Sequence, residues 1–278
     1  MSTAGLLHPG EMGAAVGAEI RRNGHDVVWC PEGRSARSSR RAQDADLRAV
    51  GDLGTMLDQC DVVLSICPPA AAEDVAREVA EAGYRGIFVD ANAISPQTLL
   101  RVADVVAVGG AEVVDASIIG PPPKPRRNRA RLHLSGAPGH LDVVASLVSG
   151  TAVQPVRHGD RLGAASAVKM AFASFQKSSR VLAGLAHALA DEHGVGEALL
   201  EEAELMSGRI LAERDFVPNV AARAWRWGPE MAEVADTLRG AGLPPDLAES
   251  TAAVLARWHR DRDRGHLSTE DALTHLRT

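Results

Sequence analysis

The sequence predicts an α/β domain built on a doubly wound, mostly parallel sheet, followed by an all-α C-terminal domain. In the first half, short apolar runs alternate with amphipathic stretches, as strands joined by crossover helices require. From about Gly159 onward only long helical periodicity remains. The apolar residues are mainly Ala, Val and Leu, with four Phe, four Trp and one Tyr in 278 residues, which suits a finely divided, helix-rich core. The length accommodates two compact units, expected at 1–158 and 159–278.

A first strand is expected to end near Leu7 and to be followed by a helix over Glu11 to Asn23 that Gly24 stops. Asp26 to Cys30 makes the second strand. Val62 to Ile66 gives a third, ended by Cys67-Pro68-Pro69, and Gly86 to Asp90 a fourth before the turn Asn92-Ala93-Ile94-Ser95-Pro96. Val105 to Val108 and Val113 to Ala116 complete the expected sheet, with Leu132 to Ser135 as a further candidate. In the second half a helix from Leu162 to His193, about 45 Å long at 1.5 Å per residue, is expected to end at Gly194 and Gly196. Leu243-Pro244-Pro245 marks another break.

A formal net charge of −6 disfavours general attraction to DNA or anionic lipid. The shortage of aromatic stacking platforms argues against single-stranded nucleic acid as well. Cys30, Cys60 and Cys67 are odd in number and form no CxxC pair, so neither a disulfide framework nor a metal site is expected. With no basic leader and no apolar run of roughly 18 residues, the expectation is a cytoplasmic protein with no nucleic-acid and no membrane partner. HExxH, GxSxG and GxxxxGK[ST] are absent, which removes the corresponding zinc, serine-hydrolase and nucleotide-kinase chemistries.

The most informative local pattern is His8-Pro9-Gly10-Glu11-Met12-Gly13, where the first strand turns into the first helix. The context reads as a Rossmann dinucleotide turn of the GxGxxG kind with His8 in the first glycine position, with a plain strand-to-helix turn as the alternative. Gly10 lets phosphate approach the backbone, Gly13 lets helix and strand pack closely, and the helix N-terminus favours the pyrophosphate. The second strand ends at Cys30, without the carboxylate that would hydrogen-bond an NAD ribose. Arg34, Ser35 and Arg37 follow, offering guanidinium and hydroxyl donors to a 2′-phosphate. NADP is therefore expected over NAD, with Glu32 as counter-evidence and a solvated basic helix start as the alternative. The full expected cofactor set is His8, Pro9, Gly10, Glu11, Met12, Gly13, Arg34, Ser35, Arg37, Cys67, Pro68 and Asn92.

Four separated segments together resemble the 6-phosphogluconate dehydrogenase and 3-hydroxyacid (β-hydroxyacid) dehydrogenase superfamily over nearly the whole chain. They are the loop ending Gly10-Glu11-Met12-Gly13, Asp90 to Pro96, Asp115 to Gly120, and Gly163 to Met170. Arg223 to Trp227 and Pro229 to Ala235 resemble the branch whose C-terminal domain, called phosphogluconate-dehydrogenase-like, has no assigned function. The resemblance implies hydride transfer between a nicotinamide and a small polar hydroxy or keto substrate, with carboxylated and phosphorylated molecules among the candidates.

It also implies that Lys169 is the general acid/base. Alcohol oxidation needs a proton acceptor near the cofactor, and a desolvated ammonium beside a cationic ring has a depressed pKa. Its neighbours Ala165, Ala167, Val168, Met170 and Phe172 are apolar; a solvated helix-surface lysine is the alternative. The expected substrate residues are Ser117, Ile119, Gly120, Ser166 and Lys177. Two departures from the family pattern stand out. Phe172 and Ala173 occupy the place of its asparagine, and Ile119-Gly120-Pro121 that of its Ser-Gly-Gly. These motivate a non-catalytic NADP-binding sensor or structural protein as an alternative, and an imine reductase, a group that shares the fold and typically lacks the lysine, is another. A homodimer through the helical domain is expected, since Trp225, Trp227 and Ala-rich faces need covering. Lys124, Arg126, Arg127, Arg129 and Arg131 form a basic segment open to three readings: an anion clamp, a nucleic-acid contact or a solvated loop.

Overall fold

The computed structural model describes residues 2–206, 210 and 213–277. Its chain forms two compact units, one ending at Lys169 and the other beginning at Met170. This division lies beyond the boundary at 158/159 that the change of pattern suggests, because the first turns of the long helix α7 (Ala164–Glu192) are bonded to the sheet of the first unit.

In that unit β1 (Thr3–Leu6), α1 (Glu11–Arg22) and β2 (Asp26–Trp29) make the opening crossover. Next come α2 (Ala36–Asp44), the two-residue β3 (Arg48–Ala49), α3 (Leu53–Asp58) and β4 (Val62–Ser65). After them run α4 (Ala72–Glu81), β5 (Ile87–Asp90), α5 (Pro96–Gly109) and β6 (Glu112–Ile119). The last are β7 (Ala130–Gly136), α6 (Pro138–Val148) and β8 (Val153–Arg157). The sheet order is β3-β2-β1-β4-β5-β6-β7-β8, with β1 to β6 parallel. β7 then runs antiparallel to β6 and parallel to β8.

Both faces of this sheet are covered, which is why its strands read as near-continuous apolar runs. Ala4, Leu6, Val62 and Leu64 join Val16 and Ile20 of α1 and Leu141 and Val144 of α6 in one core. Val28, Val63 and Phe88 join Val75 and Val79 of α4 and Val102 and Val106 of α5 in the other.

Val105 to Val108 is not a strand; it lies in α5. Ser95 caps that helix by accepting from Thr98 N at 3.0 Å, Pro96 opens it, and Gly110 ends it in the left-handed conformation. Leu99, Val102 and Val106 are buried while Val108 is 90% exposed, so the spacing is helical despite the β-branched residues. β3 and β8 were not foreseen from the sequence.

The second unit holds the rest of α7 and then α8 (Gly196–Leu205), α9 (Val217–Gly240), α10 (Asp246–Ala256) and α11 (Thr269–His275). Gly194 turns the chain after α7, but Gly196 opens the next helix rather than ending this one. Leu243-Pro244-Pro245 separates α9 from α10 as expected. Trp227 and Met231 are buried in this unit, and Trp258 donates from Nε1 to Ala272 O at 2.8 Å. Trp225 carries the Arg262 guanidinium over its ring at 3.9 Å. Among the described residues no helix is long and apolar enough to cross a membrane, and no three His, Cys, Asp or Glu are grouped to hold a metal.

Candidate functional site

The parallel strands of the first unit end together, and such carboxyl edges are where open α/β sheets bind ligands. At the end of β1 the chain enters α1 through Gly10, whose extended backbone is the N-cap. A Cβ at Gly13 would lie 2.3 Å from His8 O, so only glycine lets helix and strand close up here. A Cβ at Gly10 would meet nothing within 4 Å. Gly10 thus presents bare backbone to open space, as phosphate approach requires. Pro9 is buried, Met12 packs against the core, and Glu11 is exposed in the helix's first turn.

His8 joins this loop to the next one. Its Nε2 lies 2.6 Å from Arg34 NH1, and since guanidinium can only donate, Nε2 accepts and the proton sits on Nδ1. Burial and the Arg34 charge push the His8 pKa down to about 4, which keeps the ring neutral. Its Nδ1 is a buried donor with no partner, and Arg34 Nε is likewise unpartnered. Beside them a cavity of about 220 Å³ is lined by Leu7, Cys30, Glu32, Gly33, Arg34 and Met56 among others. Ser35 caps α2, its Oγ accepting from Ser38 N at 3.2 Å, and Arg37 is exposed on the first turn of that helix. The open Gly10 backbone, the unpartnered donors and the cavity at the end of β2 together fit a dinucleotide.

Further along the edge, Asn92 ties the ends of β4 and β5 together. Its side-chain oxygen accepts from Cys67 N at 2.6 Å, and its amide nitrogen donates to Ser65 Oγ at 3.1 Å and Asp90 Oδ2 at 2.9 Å. Burial pushes the Cys67 thiol up to about 12, so it stays protonated. Pro68, exposed, leads into a short 3-10 turn.

β6 outruns β5. Asp90 of β5 is level with Asp115, yet β6 continues to Ile119. Asp115 is fully buried: Oδ2 accepts from Ala165 N at 2.9 Å, Ser166 N at 3.2 Å and Ser135 Oγ at 2.7 Å, while Oδ1 accepts from Ser166 Oγ at 2.7 Å. A carboxylate on a strand thereby satisfies the orphan amides that start α7. Ser117 adds a bond from Oγ to Ala165 O at 2.7 Å. With α7 pinned this way, half-buried Lys169 donates from Nζ to Ile118 O at 3.0 Å. Ile118 is three residues past the level of Asp90, roughly 10 Å beyond the edge of β5 at strand rise.

The strand then turns at Gly120, whose φ of +127° and close approach to Arg129 O exclude a side chain. The basic segment forms a hairpin, Lys124 N donating to Asn128 O at 3.0 Å and Asn128 N to Lys124 O at 2.9 Å. Its five cations are exposed.

The expected residues therefore fall into separate sets. His8, Gly10, Gly13, Arg34, Cys67 and Asn92 share the carboxyl edge, and Ser117, Ile119, Ser166 and Lys169 gather where α7 meets β6. Lys177 stands in the second unit, 4% exposed, bonded to Glu230 Oε1 at 2.7 Å with Trp227 5.2 Å from its Nζ. In the sequence Asp115 is visible only as part of Asp115 to Gly120; its role as cap of α7 comes from the fold. The contact between His133 and His158 comes from the fold as well, since neither histidine lies in a recognisable pattern.

Residues 3–157, more than half of the chain, match the model described as the NAD binding domain of 6-phosphogluconate dehydrogenase. The chain belongs to that family. Residues 190–258 match a Domain of unknown function (DUF1932). Among solved structures, conserved protein MTH1747, of unknown function and with structural similarity to 3-hydroxyacid dehydrogenases, is 26% identical at a TM-score of 0.65. That match covers 93% of this chain and 98% of the other. Mycobacterium tuberculosis 3-hydroxyisobutyrate dehydrogenase with L-serine is 19% identical, covers 100% of both chains and gives a TM-score of 0.76. Streptomyces aurantiacus imine reductase is 20% identical over 99% of both chains, with a TM-score of 0.60. The last two likenesses establish shared fold.

Proposed function

We propose that this family member is an NADP-dependent oxidoreductase acting on a small polar hydroxy or keto compound, with Lys169 as its general acid/base. The observation that carries the reading is the seating of Lys169: α7, capped by Asp115, holds the ammonium at the Ile118 carbonyl just past the sheet's carboxyl edge. NADP, when bound, supplies the hydride acceptor, or in its reduced form the donor. Arg34, Ser35 and Arg37 would hold the 2′-phosphate, and the backbone at Gly10 and the start of α1 would receive the pyrophosphate. Asn92 fixes the backbone at Cys67 beside it. Lys169 takes the hydroxyl proton during oxidation and returns it to the carbonyl oxygen during reduction. Ser117 and Ser166 anchor the helix that carries Lys169, and Ile119 and Gly120 line the substrate side. Lys177, bonded to Glu230 within the helical unit, supports that unit's packing.

A second reading is imine reduction, supported by the fold shared with an imine reductase. Retention of Lys169 weighs against it. A screen of keto acids, aldehydes and cyclic imines with NADPH tests both. Turnover of a carbonyl compound supports the first reading, turnover of imines alone supports the second, and tight NADPH binding with no turnover leaves a sensor or structural role. The protein acts as a homodimer through α7, whose Phe172, Phe175, Leu182 and Leu185 expose 46, 70, 54 and 40% of their surface. Light scattering at micromolar concentration should give twice the chain mass; a monomer mass rejects this.

A further inference from the structure

On the face of β6 and β7 that meets the start of α7, His133 stands level with Ser117, in register across the antiparallel pair. It is 4% exposed. Its Nδ1 lies 2.7 Å from Nε2 of His158, just past the end of β8, and the two ring planes are within 14° of each other. His158 is half-buried, so the pair reaches from the interior toward solvent. The other nitrogen of His133, Nε2, is buried and has no hydrogen-bond partner.

The charges that act on His133 are cationic, while the Asp115 carboxylate, one register pair along the same face, is taken up by Ser135 and the start of α7. Arg131 precedes it on its own face of β7, Ser117 faces it from β6, Lys169 stands on α7 and His158 follows β8. Burial first, then the charges of His158, Arg131 and Lys169, push its pKa down to about 4. At neutral pH the ring is uncharged, and only one proton lies between the two facing nitrogens. With that proton on His133 Nδ1, donated to His158, the buried Nε2 is left as an acceptor in the field of the Lys169 ammonium.

We infer that His133 and His158 form a two-imidazole relay that exchanges protons between Lys169 and solvent. The inference rests on the reading of Lys169 as the proton carrier. In the outward direction the transfers run together, so that His133 never carries a proton on both nitrogens: the Lys169 ammonium loses a proton to His133 Nε2, directly or through one water. His133 Nδ1–H passes its own proton to His158 Nε2, and His158 Nδ1–H releases one to water. Each imidazole gains one N–H bond and loses one, so the net change is one proton moved from Lys169 to solvent. The inward direction reverses every step. Neither histidine touches the reacting atoms in this scheme; both act through Lys169.

The test needs no substrate. Proton exchange between the Lys169 ammonium and water is measured by heteronuclear NMR on ¹⁵N-lysine-labelled full-length protein, in wild type, His133→Asn and His158→Asn. The relay predicts that each substitution slows exchange by about tenfold or more, and that free imidazole added as a probe restores it in His133→Asn. His158→Asn, at the half-buried position, keeps the test decisive if His133→Asn does not fold. Unchanged exchange in a folded variant overturns the relay, and so does a slowing that imidazole leaves in place in His133→Asn. Because Lys169 exchange is read directly, a protein that fails to turn over any carbonyl compound counts against the oxidoreductase reading while leaving the proton path separately judged.

Discussion

Lys169 and Lys177 sit on one helix two turns apart, yet their surroundings have little in common. Lys169 reaches across to a backbone carbonyl of β6 and remains half-buried, whereas Lys177 is enclosed with Glu230 under Trp227. A carbonyl partner orients an ammonium without neutralising it. A buried carboxylate fixes the charged state, because deprotonating the lysine would strand the carboxylate in a low-dielectric interior. Lys169 is thus oriented by a strand carbonyl, whereas Lys177 is one half of a buried ion pair. Neither the residue type nor the helix distinguishes the two; the elements they face do.

The largest effect that breaks this comparison is on stability. Lys177→Met removes the ammonium facing buried Glu230 and should cost about 3–5 kcal/mol, read as a lower urea midpoint. Adding Glu230→Leu should recover most of that loss, since an apolar pair of similar volume carries no desolvation penalty. A single variant as stable as wild type would show that the ion pair does not anchor the helical unit. In the first unit, Arg34→Ala should weaken NADP binding by about 1.5–3 kcal/mol and leave NAD nearly unaffected. Equal losses in calorimetric titrations of the two cofactors would reject the 2′-phosphate assignment.

A smaller effect comes with pH. The folded state holds His8 and His133 at about 4, below their ordinary value of 6.5. In the window between those values the unfolded chain binds protons that the folded chain refuses, so stability falls as pH drops from about 6.5 toward 4 and is fully present above it. Denaturation series across this window should show the decline, reduced in His133→Asn. A flat profile would mean that these rings are not held neutral.

What could be read from the sequence was mainly local. The turn at Gly10 and Gly13 announced itself because helix and strand must pack within a few residues of each other, and α7 did so through its long unbroken period. Val105 to Val108 misled, since a run of β-branched residues looks like a strand until Leu99, Val102 and Val106 are seen to share a buried face. The two residues of β3 are too few to carry any pattern. In the site, the contacts that set each role join distant positions: His8 with Arg34, Asp115 with Ser166, His133 with His158, Lys177 with Glu230. Such pairings have no period or spacing to betray them, so the residue types were visible while their partners were not.

The difference between the two lysines is tested most directly by the pH–rate profile of NADPH oxidation on the best carbonyl substrate, for wild type, Lys169→Met and Lys177→Met at equal folded concentration. Lys169→Met should lower turnover by about a hundredfold to ten-thousandfold and remove an ionisation from the profile, while Lys177→Met keeps both the rate per folded molecule and the profile. If Lys169→Met turns over within a few-fold of wild type with the same pH dependence, Lys169 is not the proton carrier.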